Sequence, residues 1–303
     1  MPETSARPFG SLLTAMVTPM TDDGRLDLDA AARLAVHLVD RGHDGLVLNG
    51  TTGEAPTTHA AEKVDLIRAV VAAVGHRAHV LAGAGSNDTA HAVRMAEQAA
   101  EAGAHGLLVV SPYYSRPSQR GIQLHTLAVA GATGLPVMLY DVPARTGVRY
   151  SRETFQVLAA HDRVVAVKDA TGDVQAALTA IEETGLAWYS GDDGLLLPFL
   201  AVGAVGLVSM AGHLVGPELA RAIAEFEGGD VAAARATVRS VTPVIDLVGG
   251  SGNGALRAKL TLALTGVIPS AAMRLPQAPA ADDEVAHVRA ALAAAGLLTP
   301  AAV

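Results

Sequence analysis

Residues 163–172 read RVVAVKDATG, a short apolar run that leads into Lys168. A run that is hydrophobic on both faces and only a few residues long predicts a buried strand of a parallel sheet. Low-dielectric surroundings at the end of such a strand favour a neutral amine, the form that attacks carbonyl compounds to give Schiff bases. The alternative is a lysine that only extends its ammonium group to solvent. The other lysines are Lys63, expected on a solvated helix face, and Lys259, in a later helix.

The alternation of a short apolar run with an amphipathic stretch is repeated eight times. The runs, each predicted as a strand, are Leu12–Val17, Gly45–Leu48, Val80–Ala82, Gly106–Val110, Pro136–Tyr140, Val164–Lys168, Ala187–Ser190 and Gly206–Ser209. Eight strand–helix units within residues 1–228 are typical of an α/β fold of the (β/α)8 TIM-barrel type. A doubly wound open sheet is the alternative, but no G-x-G-x-x-G motif follows the first run.

After residue 228 the alternation stops. Val231–Val248, Ala255–Leu264 and Asp283–Ala295 have the periodicity of helices, with no predicted strand between them. We predict that residues 229–303 form a C-terminal helical extension that packs on the barrel rather than an independent domain. Its role is to cover apolar barrel surface or, alternatively, to contact another subunit.

The composition excludes several classes of protein. The 303 residues are 50% hydrophobic, enough for a large core, and the net charge of -8 does not suggest a nucleic-acid-binding surface. The absence of cysteine rules out disulfides, thiolate metal ligands and a cysteine nucleophile. The eleven histidines include no H-E-x-x-H or comparable cluster, so we expect no metal site. No secretion signal or long apolar segment is visible, and we expect a soluble cytoplasmic protein.

Unusual polar residues follow several of the predicted strands. They lie at residues 49–54, 111–117, 140–147 and 190–193, together with Lys168. In TIM barrels the loops that follow the strands form one face, and the active site lies there. We therefore expect these segments to meet at a single site.

Hydroxyl groups in these segments are suited to moving protons. Tyr140 ends the strand before that of Lys168, so its phenol is expected within reach of a carbon that forms an imine with the lysine. A positioned tyrosine can act as a proton shuttle. Thr51 and Tyr114 could form a chain of hydroxyls with it. The alternative for Tyr114, which has prolines nearby, is packing at an interface.

Other groups in these segments are suited to carboxylates. Glycines flank Thr51 and Thr52, which lets the backbone approach a ligand whose carboxylate the amides and hydroxyls can bind. A plain tight turn is the alternative. Arg145 offers a planar fork for a second carboxylate, unless it is a surface arginine. Asp192 and Asp193 fit a helix N-cap and first-turn charge better than a catalytic pair.

Five motifs, in this order, carry a resemblance to a known family. They are GTTGE (50–54), PYYSRP (112–117), YDVPARTG (140–147), VKDATG (167–172) and SGDD (190–193). The chain resembles the dihydrodipicolinate synthase / N-acetylneuraminate lyase family of class I aldolases over nearly its whole length. The resemblance implies a TIM barrel that forms a covalent imine with its substrate and needs no cofactor.

Within the family the resemblance is to the synthase branch. That branch condenses pyruvate with L-aspartate-4-semialdehyde to 4-hydroxy-tetrahydrodipicolinate, in diaminopimelate and lysine biosynthesis. By this resemblance Lys168 is the Schiff-base lysine. Tyr140, Thr51 and Tyr114 form the proton relay, and Tyr114 reaches in from the neighbouring subunit of a dimer.

The same resemblance assigns the substrate contacts. Thr52 binds the carboxylate of pyruvate, Arg145 binds that of the semialdehyde, and Gly191 and Val208 line the pyruvate site through backbone groups. Thr51 and Arg145 distinguish the chain from sialic acid lyases, which typically have serine at the position of Thr51 and lack the arginine. The family is commonly a tetramer of two tight dimers. We therefore expect a homo-oligomer that binds small-molecule substrates, without nucleic acid or membrane.

Some positions depart from the family pattern. Ala55 stands where many synthases have serine, and Asp141 where asparagine is frequent. These departures leave open a related pyruvate-dependent aldolase, lyase or dehydratase acting on another aldehyde or 2-keto sugar acid. A non-catalytic binding protein is a third hypothesis. The sequence argues against it, because every catalytic position of the family is filled. Because Ala55, Ala60, Lys63 and His91 replace residues with which regulated relatives bind lysine, we predict weak or absent lysine inhibition.

Overall fold

The computed structural model describes residues 7–250 and 253–298. Eight parallel strands close into a barrel in sequence order, with the last hydrogen-bonded to the first. The strands are β1 (Leu12–Ala15), β2 (Gly45–Leu48), β3 (His79–Gly83), β4 (Gly106–Val110), β5 (Val137–Asp141), β6 (Val164–Asp169), β7 (Ala187–Ser190) and β8 (Gly206–Ser209). The prediction of a TIM barrel is confirmed. Residues 1–6, 251–252 and 299–303, which belong to the two predicted regions, lie outside the described residues.

Helices follow the strands on the outside of the barrel. They are α1 (Leu28–Asp40), α2 (Ala60–Val74), α3 (Thr89–Glu101), α4 (Gln119–Gly131), α5 (Pro143–Thr146), α6 (Arg152–Ala159), α7 (Val174–Thr184), α8 (Leu196–Ala201) and α9 (Gly212–Glu227). Several begin at short polar side chains that accept from a free N–H of the first turn, as at Asp27, Ser118 and Asp173. Each cap fixes the residue at which the loop after a strand ends and the next helix begins.

Most strand bounds follow the predicted ones closely. β2, β4, β7 and β8 have the predicted bounds, whereas β1 ends at Ala15 instead of Val17. β5 begins after Pro136, because proline has no N–H to contribute to a sheet. β6 continues to Asp169, one residue beyond the prediction.

Residues on each strand alternate between the barrel interior and the helix layer. On β5, Tyr140 packs in the interior cluster and Leu139 packs in the outer one. On β6, Ala166 belongs to the interior cluster and Val167 to the outer one, which directs Lys168 inward. The carboxyl ends of β5 and β6 therefore present Tyr140 and Lys168 to the same interior space.

The C-terminal extension is α10 (Val231–Gly249), α11 (Gly254–Leu264) and α12 (Asp282–Ala294). α10 packs along α9, and α11 contacts α9, α10 and α12. Lys259 of α11 is fully buried and forms an ion pair with Glu54, which follows β2. The extension thus packs on the barrel and reaches the loop that follows β2. No helix in the described ranges is long and apolar enough to cross a membrane.

Candidate active site

Lys168 and Tyr140 lie side by side at the carboxyl ends of neighbouring strands. They are directly paired in the register of β5 and β6. Lys168 Nζ is 4.5 Å from the centroid of the Tyr140 ring, and the two residues are only 6% and 7% exposed. A buried amine beside an aromatic face and a phenol is suited to attack a carbonyl carbon and exchange protons during the reaction.

The loop after β2 holds Thr51 and Thr52 in a tightly constrained turn. Asn49 and Glu54, on either side, both have left-handed backbone, with φ of 55° and 57°. Thr18 Oγ1 donates to Gly53 O at 2.7 Å and ties the turn to the segment after β1. Thr52 is buried and Thr51 is exposed at the surface of a cavity. The turn is therefore a shaped and anchored structure rather than a free loop.

Glu54 anchors the same turn through its side chain. One carboxylate oxygen accepts from Lys259 Nζ, and the other accepts from the backbone N–H of Arg274 at 3.1 Å. Arg274 also donates to Thr57 O and binds Glu62 through its guanidinium. Lys259 of α11 and Arg274 of the segment after it thus hold the turn at Thr51 and Thr52 from outside the barrel.

A cavity of about 550 Å³ opens at this face of the barrel. Four of the predicted site residues line it, namely Thr51, Tyr114, Tyr140 and Arg145. Lys168 lies against Tyr140, and Thr52, Val208 and Gly191 are buried or half-buried around the strand ends. The predicted residues therefore gather at one face, although no hydrogen bond among the described residues links the hydroxyls of Tyr140, Thr51 and Tyr114.

Tyr114 projects from the loop after β4. It is 90% exposed and has a positive φ of 70°, a backbone conformation that is unfavourable for a tyrosine. Arg116, two residues on, also has a positive φ and packs against Gly147, where a Cβ would lie 2.6 Å from the Arg116 Nε. Strained backbone of this kind is found at ligand clamps and switch regions, where the surrounding structure holds it.

Arg145 is an exposed residue of the short helix α5 and borders the cavity. Gly191, at the end of β7, donates its N–H to Asp169 O at 2.6 Å. A Cβ at residue 191 would lie 2.9 Å from that same carbonyl oxygen, so a glycine is needed for the strands to approach. Val208 lies in the interior cluster.

Asp192 caps the 3-10 helix Asp193–Leu195 by accepting from Gly194 N, in agreement with the predicted N-cap. Asp193 differs from a solvated first-turn charge because it is buried. Its carboxylate accepts from Ser209 Oγ and from the N–H groups of Met210 and Ala211. It ties the loop after β7 to the end of β8, where Val208 lies.

The prediction that Lys63 is solvated is wrong. Its ammonium group donates to Ala55 O at 2.8 Å and to Thr58 Oγ1 at 2.7 Å, and burial lowers its pKa to about 8. A turn over residues 55–58 folds onto the side chain, and helical periodicity gives no sign of this. Lys63 borders the main cavity together with Ala55, His91 and Tyr113, the positions that the resemblance connects with lysine inhibition.

A family model described as the dihydrodipicolinate synthetase family matches residues 8–295. The chain belongs to this family. The predictions of an enzyme and of family membership are thereby confirmed. The chain is 53% identical over 294 residues to 4-hydroxy-tetrahydrodipicolinate synthase 2 of Streptomyces coelicolor, covering 97% of this chain and 98% of that protein.

Solved structures of the family agree with the fold. Dihydrodipicolinate synthase from Bacillus anthracis matches with a TM-score of 0.90 at 39% identity, covering 94% of this chain and 98% of that one. The enzyme from Cyanidioschyzon merolae, solved with lysine bound, matches with a TM-score of 0.92 at 37% identity, covering 97% and 100%. In the present chain the family's barrel therefore carries the cavity and the Lys168–Tyr140 pair described above.

Proposed function

We propose that the protein condenses pyruvate with L-aspartate-4-semialdehyde to give 4-hydroxy-tetrahydrodipicolinate, through a Schiff base on Lys168. The observation that carries the proposal is the contact of a buried lysine amine with Tyr140 at the strand ends, 4.5 Å from Nζ to the ring centroid. The relatives' names support the same reaction. The product places the enzyme in diaminopimelate and lysine biosynthesis, and we assign it to the cytoplasm.

The first half of the reaction activates pyruvate. The Lys168 amine attacks the ketone carbon, and water leaves as the imine forms. Tyr140 carries protons to and from the reacting atoms, with Thr51 and Tyr114 as the rest of the relay. Thr52 binds the pyruvate carboxylate, and backbone groups at Gly191 and Val208 line the pyruvate site. Loss of a methyl proton then converts the imine to an enamine, a carbon nucleophile.

The second half joins the two substrates. Arg145 binds the carboxylate of the semialdehyde through its planar fork. The enamine carbon attacks the aldehyde carbon, whose oxygen takes up a proton as the carbon–carbon bond forms. The substrate's own amine then displaces the Lys168 nitrogen by transimination, which closes the ring and frees the lysine. No metal is required in any of these steps.

Tyr114 supports an oligomeric enzyme. It is 90% exposed on the described chain, although its hydroxyl is assigned to the relay. We propose that it enters the cavity of a neighbouring subunit within a dimer, and that two dimers form a tetramer. We also propose that lysine inhibits the enzyme weakly or not at all.

The test of the proposal is reductive trapping. Incubation with pyruvate and borohydride should convert the imine to a stable secondary amine, and peptide mass mapping should find the adduct on Lys168. The peptides with Lys63 and Lys259 serve as internal controls, and Lys63→Arg as a matched variant that still traps. An unmodified Lys168 would overturn the proposed mechanism.

The acceptor is tested separately. Coupled turnover with aspartate semialdehyde should exceed that with a panel of other aldehydes and 2-keto sugar acids. Imine formation together with faster turnover of another aldehyde would assign the enzyme to a different pyruvate-dependent reaction.

A further inference from the structure

Asp141 and Asp169 lie directly behind the Tyr140–Lys168 pair. Each follows its partner by one residue, so its side chain points to the helix layer instead of the barrel interior. The two aspartates are paired in the strand register, and they are 1% and 4% exposed. Both border a second cavity of about 520 Å³, which lies outside the barrel and is distinct from the catalytic one.

The environment of Asp169 stabilises a negative charge. Its Oδ1 accepts from the backbone N–H of Thr171 at 2.8 Å and from Thr171 Oγ1 at 2.7 Å. Its Oδ2 accepts from Trp188 Nε1 on β7 at 2.9 Å. Donors directed at both oxygens favour the ionised carboxylate.

The environment of Asp141 does not stabilise a negative charge. Oδ2 accepts from the Tyr150 N–H at 3.3 Å, and Oδ1 is buried without a partner in the described part of the chain. The charged and titratable groups around it are Asp169, Tyr150 and Arg149. Arg149 is exposed and paired with Asp173, so the close charge is the like charge of Asp169. A bare buried carboxylate oxygen next to a second carboxylate is costly, and a proton removes most of that cost.

We propose that Asp141 and Asp169 form a carboxylic acid–carboxylate pair in which Asp169 carries the charge, Asp141 keeps the proton, and the pair positions Tyr140 and Lys168. Asp169 fixes the end of β6 to β7, because Trp188 holds its side chain and Gly191 N donates to its carbonyl oxygen. Ala170 N donates to Asp141 O and joins β6 to β5. Burial and the charge of Asp169 raise the pKa of Asp141 to about 7.

The proposed pair predicts different effects on positioning when each aspartate is replaced by asparagine. Asp141→Asn keeps a neutral group of the same shape, so the positioning is retained. Asp169→Asn removes the charge that Thr171 and Trp188 hold, so the β6 end loses its anchor.

The first test does not depend on the proposed function. In pyruvate-free protein, infrared difference spectra should show a buried carboxylic-acid carbonyl band below about pH 7 that disappears at higher pH and is absent from Asp141→Asn. A raised pKa favours folding at low pH, and this advantage is lost as pH rises from the unfolded to the folded value. The unfolding constant of the wild type, relative to that of Asp141→Asn, should therefore rise by up to about tenfold per pH unit between pH 4 and 7. A missing band, or an equal pH dependence in both proteins, would overturn the pair.

The second test rests on the proposed function and reads out positioning. Below about pH 7, where Asp141 carries its proton, Asp141→Asn should keep kcat within about threefold of the wild type, whereas Asp169→Asn should lower kcat by about tenfold or more with little change in the KM for pyruvate. Trp188→Phe keeps the aromatic packing, removes the donor to Asp169, and should lower kcat severalfold even if Asp169→Asn does not fold. Equal kcat values for Asp141→Asn, Asp169→Asn and Trp188→Phe would refute the positioning role. The infrared band would still show whether Asp141 carries the proton.

Discussion

At the scale of single residues, the three lysines show how environment determines chemistry. Lys63 donates its hydrogen atoms to Ala55 and Thr58, and Lys259 forms a buried ion pair with Glu54. Lys168 instead faces the Tyr140 ring, and its Nζ forms no hydrogen bond within the described ranges. An amine that is not committed to a structural contact is available as a nucleophile.

Tyr140→Phe should lower kcat by about 10²-fold or more, because general acid–base groups contribute roughly 10²–10⁴-fold to rates. Stopped-flow measurement of imine formation and steady-state turnover would measure the effect. Tyr189→Phe is a matched control, since Tyr189 is also buried in the barrel interior but its hydroxyl donates to Gly10 O. Turnover within twofold of the wild type in Tyr140→Phe would exclude Tyr140 as the main proton carrier.

The sequence predicts the Lys168–Tyr140 contact because consecutive strands of a barrel are neighbours and both residues end their strands. The burial of Lys63 could not be predicted, since it depends on a turn that folds back over the helix. The charge asymmetry of Asp141 and Asp169 likewise depends on donors from Thr171, Trp188 and Tyr150, which the chain brings together only on folding.

At the scale of elements, the turn after β2 and the segment after α11 stabilise each other. Glu54 has a left-handed φ and a side chain held by Lys259 and the N–H of Arg274. Short elements were the ones that the sequence pattern missed, including α5 (Pro143–Thr146) and the 3-10 helix Ala55–Thr57. Both are too short for hydrophobic periodicity to identify, and each begins at a proline or just before one.

Lys259→Met should destabilise the protein by about 3–5 kcal/mol, because it leaves the carboxylate of Glu54 buried without its counter-charge. Urea denaturation would measure the loss. The double variant Glu54→Gln with Lys259→Met should recover much of it, since no unpaired charge remains. If the stability losses of the two single variants instead add up in the double variant, the ion pair does not couple the turn to α11.

At the scale of the whole molecule, the barrel was predictable because eight repeats of one pattern agree with one another. Contacts between distant segments could not be read from that pattern. His213, on α9, accepts from Val17 N at its Nε2 and bonds Met210 O through its Nδ1. His43 bonds Leu38 O through Nδ1, and its Nε2 is buried without a partner among the described residues.

These two histidines should make the molecule sensitive to acid. Burial lowers the pKa of His43 and of His213 to about 4. The neutral ring therefore stabilises the fold fully above about pH 6.5, and the contribution is lost as the pH falls towards 4. At pH 5 the loss should be on the order of 2 kcal/mol for each histidine.

Urea denaturation at pH 7 and pH 5 would measure this loss. His213→Gln, which can still donate and accept, should be less sensitive to acid than the wild type. His76→Gln changes an exposed histidine and should behave like the wild type. Full acid sensitivity in His213→Gln would show that the buried ring is not responsible.

The ion pair between Glu54 and Lys259 joins residues that are 205 positions apart in the chain. A ribosome therefore delivers Glu54 long before Lys259. A nascent chain with all of its strands but no α11 would have the threonine turn without its counter-charge. The contacts that hold the turn at Thr51 and Thr52 are thus completed only after every strand of the barrel has been made.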